Sequence, residues 1–542
     1  MKKLIAASLL LAATALTAQV TESIDVRIVN VDVTVTSKGG PVRGLTRDDF
    51  EIFEDGRPQK ITNFYSVEAP ARTTVATAPS AAPSVTPAAE PDPRFRRKVL
   101  VLVDNRHTTR HQRDIALREL EAMINDRFHG EYDWSIGVMG RGITLILPLS
   151  SDKKAIHEAL EIIRRSGTRQ EGATTFASTG DAGERPIGAA PTGWSVFDSD
   201  YAEKIDRTAS IDMSEQVIAA KFTVPAYLDA VRGFASTSGR KIVLLMTGDP
   251  GFNDQIFAPN FPTGREGMTT ASITGPTGAA KTADDLRTMD DLRKSIVREA
   301  NSSDVSFYIW NVEGLVPLGD VGIASQPMTD TSAVFWLANQ TGGRLVTGND
   351  AAAAVQAFDT ASSSFYSLGY APAHPDDGKY HSISVRLKRK GDYSLEYRTG
   401  YSGTPDAAQL ARAMTSPTAA AMQASALPVT MSIGAAEGAG GEVTVPIAVK
   451  VPFRSLQFLP GKRGVAANVV VYVSVFNDMG KNLVASNFPL TPAFTSGVTD
   501  PNGALVYRNA IKLRKGERHR IVVAVRDTIT DSVGMATEVV KF

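Results

Sequence analysis

Two runs of uninterrupted apolar residues, Val99 to Val103 and Ile242 to Met246, constrain this chain more than any other feature. A strand with one wet face alternates in polarity. A strand apolar at every position has both faces covered, as in a parallel sheet sandwiched between helices. The segments between and after them have helical periodicity. Ala116, Leu120, Ile124 and Phe128 share a face of a helix predicted over 109–128, and Ile156, Leu160 and Ile163 share one over 152–165. Further helices are predicted at 215–235, where Pro225 should break or kink the run, and at 284–300, 331–340 and 351–361. Strands are predicted at 134–139, 143–147, 305–310, 344–346 and 365–370. Alternating strands and helices of this kind predict an α/β fold with a doubly wound, mostly parallel sheet over residues 95–370. Two stretches interrupt it, 166–212 and 250–283, both long for loops in a compact domain and rich in Gly, Thr, Ser, Ala and Pro.

The flanks follow a different rule. Val29, Val31, Val33 and Val35 alternate with polar residues, and short strands at 50–54 and 61–65 surround an Asp55-Gly56 turn, so 22–68 is predicted to be a β module. Residues 69–93 are Ala, Pro, Thr and Ser without periodicity and are expected to be a linker. Strands at 382–388 and 393–397 around Gly391-Asp392 predict a β-hairpin, and sequence order alone suggests that 371–401 pairs with the N-terminal module. Residues 402–427 have the composition of a second linker with room for one helix, and 428–542 that of a C-terminal β-sandwich with strands at 443–451, 469–476, 520–526 and 536–542.

The N-terminus predicts export. Lys2 and Lys3 precede an apolar run from Leu4 to Leu16, too short to span a membrane, and small residues follow, so 1–18 is expected to be a signal peptide cleaved after Ala18. The protein is then expected in the periplasm or outside the cell, without a transmembrane segment. With 58 basic and 58 acidic residues there is no global field to draw it onto nucleic acid. The absence of Cys excludes disulfides, thiolate nucleophiles and Cys-based zinc sites.

The stretch V-D-V-T-V-T-S-K-G-G-P-V-R-G-L-T-R-D-D-F-E-I-F-E-D-G-R-P-Q-K-I-T-N-F, residues 31–64, resembles the opening of the VWFA-related domain proteins of acidobacterial type. L-A-N-Q-T-G-G-R (337–344), F-Y-S-L-G-Y (365–370) and the segment from D-G-K-Y-H-S-I-S-V-R-L-K-R to Y-R-T-G-Y (377–401) fit the same family. The resemblance covers residues 22–402 and implies a von Willebrand factor type A-like α/β domain in an exported bacterial protein. It also implies a place to look for a metal-ion-dependent adhesion site, D-x-S-x-S after the first strand with a Thr and an Asp from later loops. Asp104 matches the Asp, Thr108 stands in for the last Ser, and Asp249 matches the later Asp. No residue is identified for the Thr. Arg106 replaces the middle Ser, putting a permanent cation where an oxygen ligand should be, so a degenerate site is expected in which Arg106 replaces the ion. No cofactor is expected; an ion, should one bind, would be Mg²⁺.

Other constellations are weaker. His107 and His111, near Asp104 and Asp114, could share a helical face for a transition metal, but two histidines at a helix start are more often solvated. Asp284-Asp285 and Asp290-Asp291 are expected to be N-terminal helix acids, and Asp376-Asp377 a turn. There is no phosphate-loop lysine after Gly248 and no usable G-x-S-x-G. The expectation is a non-enzymatic binding or adhesion protein that offers its sheet-top loops to a protein or glycan partner. A metal-dependent hydrolase using Asp104, Asp249 and His107, and a structural envelope component, are the alternatives.

Overall fold

The computed structural model describes residues 28–67, 96–166, 220–248, 276–312, 333–346, 351–422 and 427–542, with short breaks inside these ranges, 106–107 among them. The signal segment, the 69–93 linker and most of 166–212 and 250–283 lie outside the described residues. Among the described residues no helix is long and apolar enough to cross a membrane.

Six strands form the central sheet, in the order Leu345–Val346, Val305–Asn311, Arg240–Thr247, Arg97–Asp104, Tyr132–Met139, Ile143–Ser150. All neighbours are parallel except the last pair. Every residue of Arg97–Asp104 and Arg240–Thr247 is buried, because successive side chains feed two different cores. Val99, Val101, Ile242 and Leu244 pack with Leu120 and Ile124 of helix Arg110–Asp126, Leu160 of Lys153–Arg165 and Phe358 of Ala351–Ser363. Leu100, Leu102, Val243 and Leu245 pack on the opposite face with Tyr227 and Phe234, Ile296 of Pro276–Ser302 and Leu337 of Ala333–Gln340. Pro225 does not end its helix, since residues 223–233 are helical. The helix containing Asp290 begins at Pro276, so Asp290 is not an N-terminal acid; it pairs with Lys294 at 2.5 Å, one turn on.

The flanking β unit is built from both ends of the α/β segment. One sheet runs Ser394–Glu396, Val29–Ser37, Phe365–Tyr370, Asn63–Val67, and the other Gly400–Ser402, Tyr380–Leu387, Phe50–Glu54, Arg57–Gln59. Val31, Val33, Phe50, Ile52, Leu368 and Ile383 share the core between them. Two expectations change here. Phe365–Tyr370 does not extend the α/β sheet; it pairs antiparallel with Val29–Ser37 and Asn63–Val67. The expected hairpin around Gly391 is also absent, because Tyr380–Leu387 pairs with Phe50–Glu54 while Ser394–Glu396 pairs with Val29–Ser37 in the other sheet.

The T-G-G-R and Y-R-T-G segments meet where the α/β unit rests on this β unit. The Thr399 amide donates to the Gln340 carbonyl at 3.1 Å, and its hydroxyl donates to Gln340 Oε1 at 2.7 Å. Arg344 Nε donates to Glu396 Oε1 at 2.7 Å. A Cβ on Gly343 would lie 1.9 Å from the Phe307 carbonyl oxygen, so only glycine lets the backbones approach this closely.

Residues 403–422 also differ from expectation. Where one helix within a linker is expected, they hold two, Asp406–Ala413 and Ala419–Met422. Met422 joins the α/β core, while Leu410 and Met414 pack on Tyr472, Phe476 and Val522 of the C-terminal unit. That unit is a β-sandwich with Val445, Val449, Val471, Val475, Ile521 and Val525 in its core. Strands Thr430–Ile433, Asn482–Leu490 and Ala504–Arg514, not expected from the sequence, complete its sheets.

Candidate functional site at the carboxyl end of the central sheet

The two fully buried strands end side by side, and the next described helices after them in sequence lie on opposite faces of the sheet. From Asp104 the chain enters Arg110–Asp126 on one face, and the helix preceding the next strand after Thr247, Pro276–Ser302, lies on the other. In open α/β sheets this divergence creates a crevice beyond the strand ends, the usual ligand position. Asp104, the last residue of its strand, is fully buried. Its Oδ2 accepts a hydrogen bond from the Thr247 hydroxyl of the neighbouring strand at 2.8 Å. The Thr108 hydroxyl, also fully buried, turns back and donates to the Asp104 carbonyl at 2.5 Å.

The loop carrying these groups is held from below. Thr109 and Gln112 cap the helix reciprocally: the Thr109 hydroxyl donates to Gln112 Oε1 at 2.7 Å, and the Gln112 amide donates to Thr109 Oγ1 at 3.3 Å. Arg113, with no exposed side-chain surface, donates through Nη1 to Asn105 Oδ1 at 3.2 Å and to the Ser166 carbonyl at 3.0 Å. Its Nη2 reaches the Arg164 carbonyl at 3.0 Å. Asn105 Nδ2 donates to Ser166 Oγ at 3.1 Å. A buried guanidinium thus ties the loop after Asp104 to the negative end of helix Lys153–Arg165, where the 166–212 insertion departs.

Of the residues expected at the site, Asp104 and Thr108 are brought together. Asp249, Arg106 and His107 lie outside the described residues. His111 is exposed, and Asp114 is engaged by Arg113 at 3.0 Å and Arg110 at 3.9 Å. Sequence reasoning missed Thr247. The available signal was a hydroxyl residue closing an otherwise apolar strand, and its pairing with Asp104 required knowing that the two strands are adjacent. It also missed Arg113, which looks like one more helix-surface cation.

No family model and no curated protein matches this chain. Among solved structures it is similar to an aerotolerance-related membrane protein from Bacteroides fragilis, at 12% identity and a TM-score of 0.23, covering 49% of this chain and 98% of that one. It is similar to proximal thread matrix protein 1 from the mussel byssus, at 11% identity and a TM-score of 0.22, covering 49% of this chain and 48% of that one; that protein has been solved with a zinc-occupied MIDAS motif. A third similarity, to Bacteroides uniformis β-glucuronidase 2 at 10% identity and a TM-score of 0.15, covers 21% of this chain and 13% of that one. Likenesses this low carry no argument about fold or activity.

Proposed function

We propose that this chain is an exported, non-enzymatic binding protein of the VWFA-related type, whose doubly wound, von Willebrand A-like domain presents the loops above Asp104 to a protein or glycan partner. The observation that supports this reading is the Asp104–Thr247 hydrogen bond, which places an oxygen-rich cluster at the point where the two central strands part. The long segments 166–212 and 250–283, which follow in sequence from Ser166, bonded to Asn105, and from Thr247, bonded to Asp104, would carry specificity.

The donors suit a hard dication: one carboxylate and two hydroxyls, completed by water, fall within what Mg²⁺ accepts. Asp104 would be the charged ligand, with Thr108 and Thr247 as neutral ones, and a bound ion would supply an open coordination position to an acidic group of a partner. Arg106, standing where the adhesion motif has Ser, argues that binding proceeds with the ion replaced.

The test is partner capture by the full chain from an envelope protein fraction and on a glycan array, with and without EDTA. The helix Pro276–Ser302 takes up the end of the second segment, so capture that survives EDTA and is lost when 250–275 is deleted from a still-folded protein supports the proposal. Unchanged capture after that deletion refutes the loop role. Turnover of a substrate that requires Mg²⁺ or Mn²⁺ and disappears in Asp104→Ala would establish the hydrolase instead.

A further inference from the structure

A second cluster of chemistry-bearing side chains lies far from the central sheet, in the split β unit. Strand Phe50–Glu54 ends at a tight turn in which Asp55 adopts φ 49°. Consecutive residues of a strand point to opposite faces, but the left-handed backbone at Asp55 redirects its side chain. As a result the Glu54 and Asp55 carboxyl oxygens and a ring nitrogen of His381, on the paired strand Tyr380–Leu387, all lie within 4.8 Å of one another. Glu54 and His381 are buried and Asp55 is exposed, so the cluster opens to solvent on one side.

The surrounding groups orient these three. His381 Nδ1 lies 2.8 Å from Asp55 Oδ2, and Nε2 lies 3.0 Å from Asp377 Oδ1. Asp55 Oδ1 accepts from the Ser382 amide at 2.8 Å and from its hydroxyl at 3.1 Å. Tyr401 stacks on the imidazole, centroids 5.2 Å apart, and donates to Glu54 Oε2 at 3.2 Å. The Tyr370 hydroxyl, fully buried, lies against Glu54 without a well-aligned hydrogen bond of its own. Three carboxyl groups therefore face one imidazole, and the one Lys among their described ion pairs, Lys379, is exposed and 3.9 Å from Asp377.

We propose that Glu54, Asp55 and His381 form a binding site for a divalent cation of the zinc class. The ion would replace the proton between His381 Nδ1 and Asp55 Oδ2, with Glu54 as third ligand and solvent completing the sphere. An imidazole with two carboxylates suits Zn²⁺ and disfavours Mg²⁺ and Ca²⁺, which take oxygen alone. Asp377 then has the role such sites require, accepting the Nε2–H and holding the ring with Nδ1 forward. Bonds of ~2.0–2.2 Å ask the donors to close up from their present spacing, and Asp55, half exposed, has the freedom to do so. The ion would join the strand before the α/β segment to the strand after it.

The site is tested by isothermal titration of the tag-free full chain with ZnCl₂ and MgCl₂ at pH 7.5, alongside Asp55→Asn, His381→Gln, Asp377→Asn and Asp104→Ala. Asn tolerates the left-handed backbone, so Asp55→Asn keeps the turn; thermal melts establish that each variant is folded. The expected result is one saturable Zn²⁺ site in the wild type and in Asp104→Ala. It should be lost in His381→Gln, at least tenfold weaker in Asp55→Asn, and about 10–100-fold weaker in Asp377→Asn. Absence of saturable Zn²⁺ heat in the wild type, equal affinity in folded His381→Gln, or Mg²⁺ binding as tight as Zn²⁺ in Asp104→Ala would overturn the proposal.

Discussion

Replacing Asp229 by Asn should stabilise this protein, and only above a definable pH. Asp229 lies on the helical stretch 223–233, covered by residues 403–422. The hydroxyls of Ser416 and Thr418 each reach its backbone carbonyl at 3.3 Å, and Asp229 Oδ1 has no partner among the described residues. Burial pushes its carboxyl from 3.8 up to about 6, against the smaller opposing pull of hydrogen bonds from Ser416 and Thr418 and the charge of Arg232. Below 3.8 the group is protonated in both folded and unfolded chains and costs nothing. Between 3.8 and about 6 the unfolded chain ionises first, so stability falls as pH rises through that window. A shift of about two units corresponds to about 3 kcal/mol above pH 6, as an upper bound. Asn keeps the shape and removes the charge, so Asp229→Asn should gain up to that amount at pH 7.5 and next to nothing at pH 4. Urea denaturation of wild type and variant at both pH values, followed by far-UV circular dichroism, measures the difference. A variant no more stable than wild type at pH 7.5, or equally stabilised at both pH values, would refute the reasoning.

Three further perturbations test the architecture. Arg113→Leu removes a buried cation from the Asn105 side chain and from the carbonyls of Arg164 and Ser166, and should cost about 3–5 kcal/mol in the same denaturation assay; a loss below about 1 kcal/mol would show that the loop after Asp104 is held otherwise. Gly343→Ala forces a methyl to within 1.9 Å of the Phe307 carbonyl oxygen and should lower the melting temperature or prevent folding, whereas Gly441→Ala, with open space around its Cβ, should do neither. A double-mutant cycle on Arg344→Ala and Glu396→Ala should return a coupling of about 0.5–3 kcal/mol, because the pair joins the α/β unit to the β unit and Glu396 is largely buried; a coupling indistinguishable from zero would remove this contact from the junction.

Much of the central sheet could be read locally. The apolar runs at 99–103 and 242–246 are buried on both faces because their composition permits no other environment, and the alternation Val29, Val31, Val33, Val35 marks a buried face for the same reason. Asp104 and Thr108 were legible as candidates through the family resemblance, which implies a D-x-S-x-S pattern after the first strand. Hydroxyl and guanidinium partners were not, since any helix surface or strand end can carry a Thr247 or an Arg113.

Sequence alone therefore determined the apolar strands and amphipathic helices of the α/β unit and the faces they turn inward, since these follow from side-chain period and polarity within a few residues. Tertiary structure decided the partnerships. It sent Phe365–Tyr370 to the flanking sheet, split the expected hairpin between two sheets and turned the Ala-rich segment 403–422 into a packed bridge. It also set Asp104 beside Thr247, 143 residues on, and Asp55 beside His381, 326 residues on. Contacts across such separations depend on which buried surfaces fit one another, and no local pattern encodes that choice.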